Sequence, residues 1–212
     1  MLKDLMVKDF VNELASNSPA PGGGSVAALS AALSSALTSM VFNLTVGKKA
    51  YNEYDDEKKE MINSSLVVAN ENKDNFIRLM DKDTEEFMVL MEAFKLPKNT
   101  EEEKKVRNEK IEEGYKRALD IPYEVTKKAY KTYDDIMIAC TYGNKNAISD
   151  AGVAALLLQA AIESAVLNVK INLSCISDDT FKEEVLNQCN EIVKNGVTKR
   201  DEILSIVNGK IG

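Results

Sequence analysis

The sequence predicts an all-α protein, a single-domain bundle of long helices with two central helices built from small residues. Three observations carry that reading. Ala, Leu, Glu and Lys dominate most segments, while the 10 glycines and 4 prolines gather in a few places, so strong helix formers are kept apart from helix breakers. Helix-start signals stand where periodic segments begin, Thr100 with Glu103 and Thr180 with Glu183, each in capping-box spacing. No segment shows the strict apolar–polar alternation of a half-buried strand. One helical domain over residues 1–212 is therefore expected, without a linker or low-complexity tract.

Taken in order, residues 2–15 form a short amphipathic pattern with Leu5, Phe10, Val11 and Leu14 as its apolar positions. Residues 18–25, Ser-Pro-Ala-Pro-Gly-Gly-Gly-Ser, cannot continue it, because Pro lacks a donor N–H and Gly is conformationally loose. A helix over 25–46 follows, uncharged and rich in Ala and Ser. Opened by a Gly-rich turn, it presents free N–H groups and a positive dipole end, which suits a carboxylate or phosphate at Gly22, Gly23, Gly24 and Ser25. Its length would span a bilayer. Ser30, Ser34, Ser35, Thr38, Ser39 and Asn43 make it a poor lipid-facing segment and no second convincing span is seen, so it reads as a buried central helix.

Residues 55–94 form a long helical pattern ended at Leu96-Pro97. The next helix runs from Glu101, capped by Thr100, with a kink or interruption expected at Pro122 near Asp120. It resumes to Tyr142, where Gly143-Asn144 stops it. Ser149 is the expected N-cap of a helix over 151–175, with Asp150 complementing its dipole. A last amphipathic helix runs from the Thr180 box to about Val207. The openings Gly-Gly-Gly-Ser-Val-Ala-Ala-Leu and Ser-Asp-Ala-Gly-Val-Ala-Ala-Leu resemble one another. If these two helices pack antiparallel, or across a subunit interface, both polar mouths can line one cleft.

Composition excludes several function classes. A net charge of −7 argues against nucleic acid or an anionic membrane as the main partner. The chain has no histidine, which removes the commonest general acid/base and the commonest metal ligand. Its three cysteines, Cys140, Cys175 and Cys189, lack CxxC spacing and read as buried thiols of a cytoplasmic protein. The start Met-Leu-Lys-Asp-Leu has an early acid and no apolar core, unlike a signal peptide. No metal is expected, and acid–base chemistry falls to Asp, Glu, Lys, Tyr, Cys or backbone dipoles.

Several blocks occur together. They are residues 18–29, the run Met-Val-x-Asn-Leu-Thr-Val-Gly-Lys-Lys at 40–49, and Asp83-x-x-x-Phe87 followed by Leu-Pro-Lys98. Gly-Asn-Lys-Asn-Ala-Ile-Ser-Asp-Ala-Gly-Val-Ala-Ala at 143–155 and Asn-Val-Lys-Ile-Asn at 168–172 complete the set. In order and spacing they resemble the formiminotetrahydrofolate cyclodeaminase family, including stand-alone bacterial methenyltetrahydrofolate cyclohydrolases, over nearly the whole chain. The resemblance implies an all-helical homodimer with a cleft near the subunit interface and no metal or organic cofactor. It also implies chemistry on a one-carbon unit between N5 and N10 of tetrahydrofolate. A cyclodeaminase closes 5-formimino-tetrahydrofolate to the 5,10-methenyl form with loss of ammonia; a cyclohydrolase adds water to the methenyl bridge to give 10-formyl-tetrahydrofolate. The rival of another class is an inert helical scaffold or folate-binding protein.

Ring closure under that resemblance needs an acid near neutral pKa, and the candidates are Asp83 and Asp150. Each has a second reading, Asp83 as a solvated helix residue and Asp150 as a plain helix-start acid. Lys48, Lys49, Lys98 and Arg107 can hold the glutamate carboxylates of a folate, polyglutamylated forms included. Asn144, Asn168 and Asn172 can meet a pterin edge; Asn168 and Asn172, four apart, share a helix face and equally suit interhelix hydrogen bonding. Nothing near Cys140 clearly lowers its pKa, so it is set aside as a nucleophile.

Overall fold

The computed structural model describes residues 1–212 and contains helices and turns without a strand. The α-helices are α1 (Val7–Leu14), α2 (Gly23–Asn43), α3 (Lys49–Asn52), α4 (Asp56–Phe94), α5 (Glu101–Tyr142), α6 (Ile148–Leu173) and α7 (Asp179–Ile211). Short 3₁₀ turns occupy Leu2–Asp4 and Lys145–Ala147.

Helix starts follow local chemistry. Asp55 caps α4 by accepting the Lys58 N–H at 2.9 Å. Thr100 and Glu103 form the full reciprocal box at the head of α5, as its spacing predicts. Two expected caps move. The side chain of Asp178, not Thr180, accepts the Phe181 N–H at 3.0 Å and starts α7. A carboxylate facing the positive helix end outcompetes a hydroxyl two residues later. Ser149 lies inside α6, which begins at Ile148; Asn144 instead caps the preceding 3₁₀ turn, accepting from the Asn146 N–H.

The N-terminal segment is not one helix. Leu5 and Met6 are extended between the 3₁₀ turn and α1. The Lys3 N–H is tied to Asp81 Oδ1 on α4 at 3.2 Å, which fixes the turn away from the α1 axis. Of the four predicted apolar positions only Phe10 is buried. Pro122 does not interrupt α5. The carbonyl it leaves without an i+4 donor, that of Ala118, accepts instead from Asn172 Nδ2 on α6 at 3.2 Å. Cys140 and Cys189 are buried, but Cys175 is exposed, because α6 ends at Leu173 and leaves it in a surface turn.

α2 and α6 form the centre of the bundle. Ala27, Ala28, Ala31 and Ala32 face Ala151, Ala154, Ala155 and Ala161, all buried, and small side chains let the two backbones approach closely. The Ser34 hydroxyl donates to the Ala154 carbonyl at 2.8 Å, while Gly23 lies against Asn168. Rising numbers on α2 thus meet falling numbers on α6, so the pair is antiparallel. Both helices are long and apolar enough to cross a membrane, α6 as much as α2. Each packs most of that apolar window into the bundle instead.

α4 and α5 make a long antiparallel hairpin. Glu86 accepts both Nε and Nη2 of Arg117 at 2.7 and 3.1 Å across it. α7 closes the other side, with Gly196 seated on the buried Tyr133–Gln159 hydrogen bond of 2.8 Å. At its end Lys210 Nζ donates to the Cys140 and Thr141 carbonyls, so a cation caps the negative end of α5.

Candidate active site

Antiparallel packing within one chain separates the two polar mouths. The Gly-rich start of α2 meets the C-terminal half of α6, and the start of α6 meets the far end of α2. With 21 residues in α2, these ends lie about 30 Å apart. The predicted site residues therefore divide into two groups.

Beside the Gly-rich turn is a cleft of about 330 Å³ between the start of α2 and helices α4, α5 and α6. Gly22, Gly23, Gly24, Asp83, Asn168 and Asn172 line its polar side, joined by Thr84. Phe87, Leu90, Met91, Phe94, Tyr115 and Ile171 form its apolar wall. Such a mix of a broad apolar wall and few convergent polar groups is typical of a small-molecule site.

Asp83 organises the polar side. Its Oδ2 accepts from Ser25 Oγ at 2.8 Å, which seats the carboxyl against the first turn of α2. Thr84 Oγ1 lies 3.2 Å from Ser25 Oγ. Gly22, the N-cap of α2, has no side chain to serve the helix start, and the Asp83 carboxyl lies beside that start, held from α2 by the Ser25 hydroxyl. Burial pushes the Asp83 carboxyl above the ordinary carboxylate range, and the hydrogen bond from the Ser25 side chain opposes that rise. The result is an acid held near the apolar wall and able to exchange its proton closer to neutrality than a solvated aspartate.

The glycines do different work. A Cβ on Gly24 would stand 2.1 Å from Asp83 Oδ1, so the carboxyl occupies the space a side chain would need. At Gly23 a Cβ would meet Asn168 Nδ2 at 3.2 Å. At Gly22 nothing lies within 4 Å, and the position opens on the cleft.

Arg107 stands outside the lining, near its rim. Its Nη2 donates to the Phe94 carbonyl at 3.3 Å, and the guanidinium lies 5.9 Å from the Phe94 ring centroid. Lys98 is exposed in the α4–α5 connection beyond it. At the opposite end, Lys48, Lys49 and Asn144 line a second pocket of about 480 Å³ with Tyr51, Tyr54, Tyr142, Lys145 and Lys210. No carboxylate lines this pocket. The Asn144 amide is already engaged there: Nδ2 donates to the Leu44 carbonyl at 2.9 Å and Oδ1 accepts from Asn146 N–H at 3.0 Å. Asp150 is half-buried in the first turn of α6 and lines neither pocket.

Sequence reading missed Thr84, the apolar wall of α4 and Tyr115. The signal for the wall was present: Asp83, Phe87, Leu90, Met91 and Phe94 recur at helical spacing and share one face with the acid.

Residues 6–191 match the family described as Formiminotransferase-cyclodeaminase. The chain is 38% identical over 205 residues to the methenyltetrahydrofolate cyclohydrolase of Methylorubrum extorquens, covering 97% of each protein. It is 32% identical over 209 residues to the mouse formimidoyltransferase-cyclodeaminase, 99% of this chain but 38% of that protein. It thus spans well under half of the longer relative. The crystal structure of formiminotetrahydrofolate cyclodeaminase from Thermotoga maritima superposes with a TM-score of 0.86 at 27% identity, over the full length of both chains.

Proposed function

The chain belongs to the formiminotransferase-cyclodeaminase family, and from that premise we propose that it is a folate one-carbon enzyme, a formiminotetrahydrofolate cyclodeaminase. It converts 5-formimino-tetrahydrofolate to 5,10-methenyl-tetrahydrofolate and ammonia. The observation that carries this reading is the Asp83 carboxyl, raised by burial and seated on the Gly-rich start of α2 inside the cleft.

One carboxyl closes the proton inventory. N10 attacks the carbon of the nitrogen-protonated formimino group and forms a tetrahedral centre bonded to N5, N10 and an amino group. Asp83 takes the proton that N10 no longer holds and returns it to the amino nitrogen. The C–N bond to that nitrogen breaks, ammonia leaves, and the N5–C–N10 bridge becomes the methenyl cation. Reactant and leaving group both belong to the substrate, so the proposal includes no metal or organic cofactor. Asp150, at the other end of the bundle, has no part in this step within one chain.

A second reading, methenyltetrahydrofolate cyclohydrolase, is favoured by the 38% identity to the Methylorubrum extorquens enzyme over almost the whole chain. The same shuttle serves it. Water adds to the methenyl carbon, Asp83 accepts one of its protons and delivers it to N5, and the N5–C bond breaks as the remaining carbinol O–H proton passes to solvent, leaving 10-formyl-tetrahydrofolate. The experiment is direct: the purified protein receives 5-formimino-tetrahydrofolate and, separately, the methenyl compound. Ammonia released in step with methenyl formation supports the cyclodeaminase. Hydration of the methenyl compound without ammonia from the first supports the cyclohydrolase. Tetrahydrofolate binding with neither turnover would leave a folate-binding protein and sink both.

We further propose a homodimer through the outer face of α2 and α6. Leu33 is 48% exposed on α2, Leu156 and Leu167 are 49% and 66% exposed on α6, and α2 carries no charge along its length. The stripe runs to Ile171, which lines the cleft, so this face is continuous with the site. A two-fold axis across the helices exchanges their ends. It brings the Lys48–Lys49 mouth of one copy toward the Asp83 cleft of the other, a cation source for the glutamate carboxylates of the folate beside Arg107 and Lys98. The expected species in solution has twice the 23.4 kDa chain mass. Leu33→Glu with Leu156→Glu should yield a folded single chain with reduced turnover. Sedimentation showing a wild-type monomer would remove the proposal. Three free thiols suit the cytoplasm as its compartment.

A further inference from the structure

Pro122 lies inside α5, yet α5 stays continuous. The missing N–H of Pro122 releases the Ala118 carbonyl, and Asn172 takes it. Asn172 Nδ2 donates to the Ala118 carbonyl at 3.2 Å and to the Asn168 carbonyl at 3.0 Å. A carboxamide nitrogen has two hydrogens, so both are committed. Turning the group over would press Oδ1 against two carbonyl oxygens, and the orientation is thereby fixed. Oδ1 is left without a protein donor, on a residue that lines the cleft together with Ala118.

We infer that Pro122 is a positioning residue that locks the Asn172 carboxamide with its oxygen as a dedicated acceptor for the N–H edge of the substrate's pterin, its 2-amino group and N3–H. The inference rests on the folate reading given above and adds to it the group recognised and the residue that orients the recognition. With an ordinary residue at 122, the helix would satisfy Ala118 itself, and the Asn172 carboxamide would be held by the Asn168 carbonyl alone, one contact in place of two. A site that fixes an acceptor rejects a substrate lacking the matching donor, because its polar atom is then left unpaired.

The test compares tetrahydrofolate substrate with its 2-deamino analogue in wild type, Asn172→Ala and Pro122→Ala. Wild type is expected to prefer the 2-amino substrate by about 10- to 100-fold in kcat/KM. Asn172→Ala should raise KM about 10-fold, leave kcat within a few-fold and erase the preference. Pro122→Ala should melt no lower than wild type, since the helix bond to Ala118 is restored, and yet show a raised KM and a weakened preference. A purely structural role for Pro122 predicts the reverse, with KM unmoved. If Asn172→Ala alone misfolds by leaving Ala118 unsatisfied, the double variant with Pro122→Ala repairs that bond and carries the same kinetic expectation. An active wild type whose preference survives in the Asn172 variants overturns this inference alone; a wild type that neither binds nor turns over folates overturns it with the functional reading.

Discussion

Asp83→Asn is expected to lower kcat by about 10²- to 10⁴-fold, the span usual for loss of a positioned general acid/base. Shape and position should survive. Asn is isosteric, and the Ser25 hydroxyl that now donates to Oδ2 at 2.8 Å can turn to suit a carboxamide. The stability change has a sign that separates catalysis from structure. Burial raises the Asp83 pKa in the folded chain, so the folded state binds this proton more tightly than the unfolded chain does. Between the ordinary aspartate pKa and the raised one, stability falls as pH rises, and above both the ionised carboxyl is a net cost to the fold. A neutral Asn avoids that cost. Thermal melts at pH 7 should show the variant at least as stable as wild type, with the difference shrinking as acid protonates Asp83. Were the residue only a cap for α2, the variant would melt lower and keep its turnover. The wild-type pH–rate profile should also bend above the usual carboxylate range, and that bend should vanish in the variant.

Gly24→Ala is expected to disable the same carboxyl from the opposite side. Its Cβ would sit 2.1 Å from Oδ1, 2.6 Å from Cγ and 2.7 Å from Oδ2 of Asp83, all shorter than any non-bonded contact. Either the carboxyl swings away from Ser25 or the first turn of α2 shifts. Overpacking of this kind costs about 1–3 kcal/mol, and displacing an acid by an ångström costs about 10²-fold in rate. Gly22→Ala is the internal control, because nothing lies within 4 Å of its Cβ and its φ of −134° suits any residue. Activity measured for both variants should fall steeply for Gly24 and little for Gly22. Equal losses would mean that the glycines act through backbone freedom and not through the room they leave for Asp83.

Where a signal is local, the sequence determined the outcome. Thr100 and Glu103 sit three residues apart and cap α5 as expected. The Gly-rich turn starts α2, and Pro97 follows the end of α4. The resemblance of separate blocks named Asp83 as a candidate, although its neighbours Asp81, Lys82, Glu85 and Glu86 make it look like any solvated helix acid, and the structure places it in the cleft. Caps, breakers and helical periodicity act over about four residues, so they can be read one segment at a time.

Tertiary structure decided what lies far apart in the chain. Ser25 and Asp83 are 58 residues apart, and Ala118 and Asn172 are 54 apart. No local rule says that the Pro122 gap is filled by α6, or that Asp81 holds the N-terminal turn away from α1. Nor could the sequence say which predicted ligands share a site. The antiparallel seating of α2 on α6 gathers Gly24, Asp83, Asn168 and Asn172 at one end and sends Lys48, Lys49 and Asn144 to the other. Helix direction is set by which small-residue faces pack together and by the connections between them. That choice is made by burial summed over the whole interface, whereas each residue alone records only its own preference for being helical and apolar.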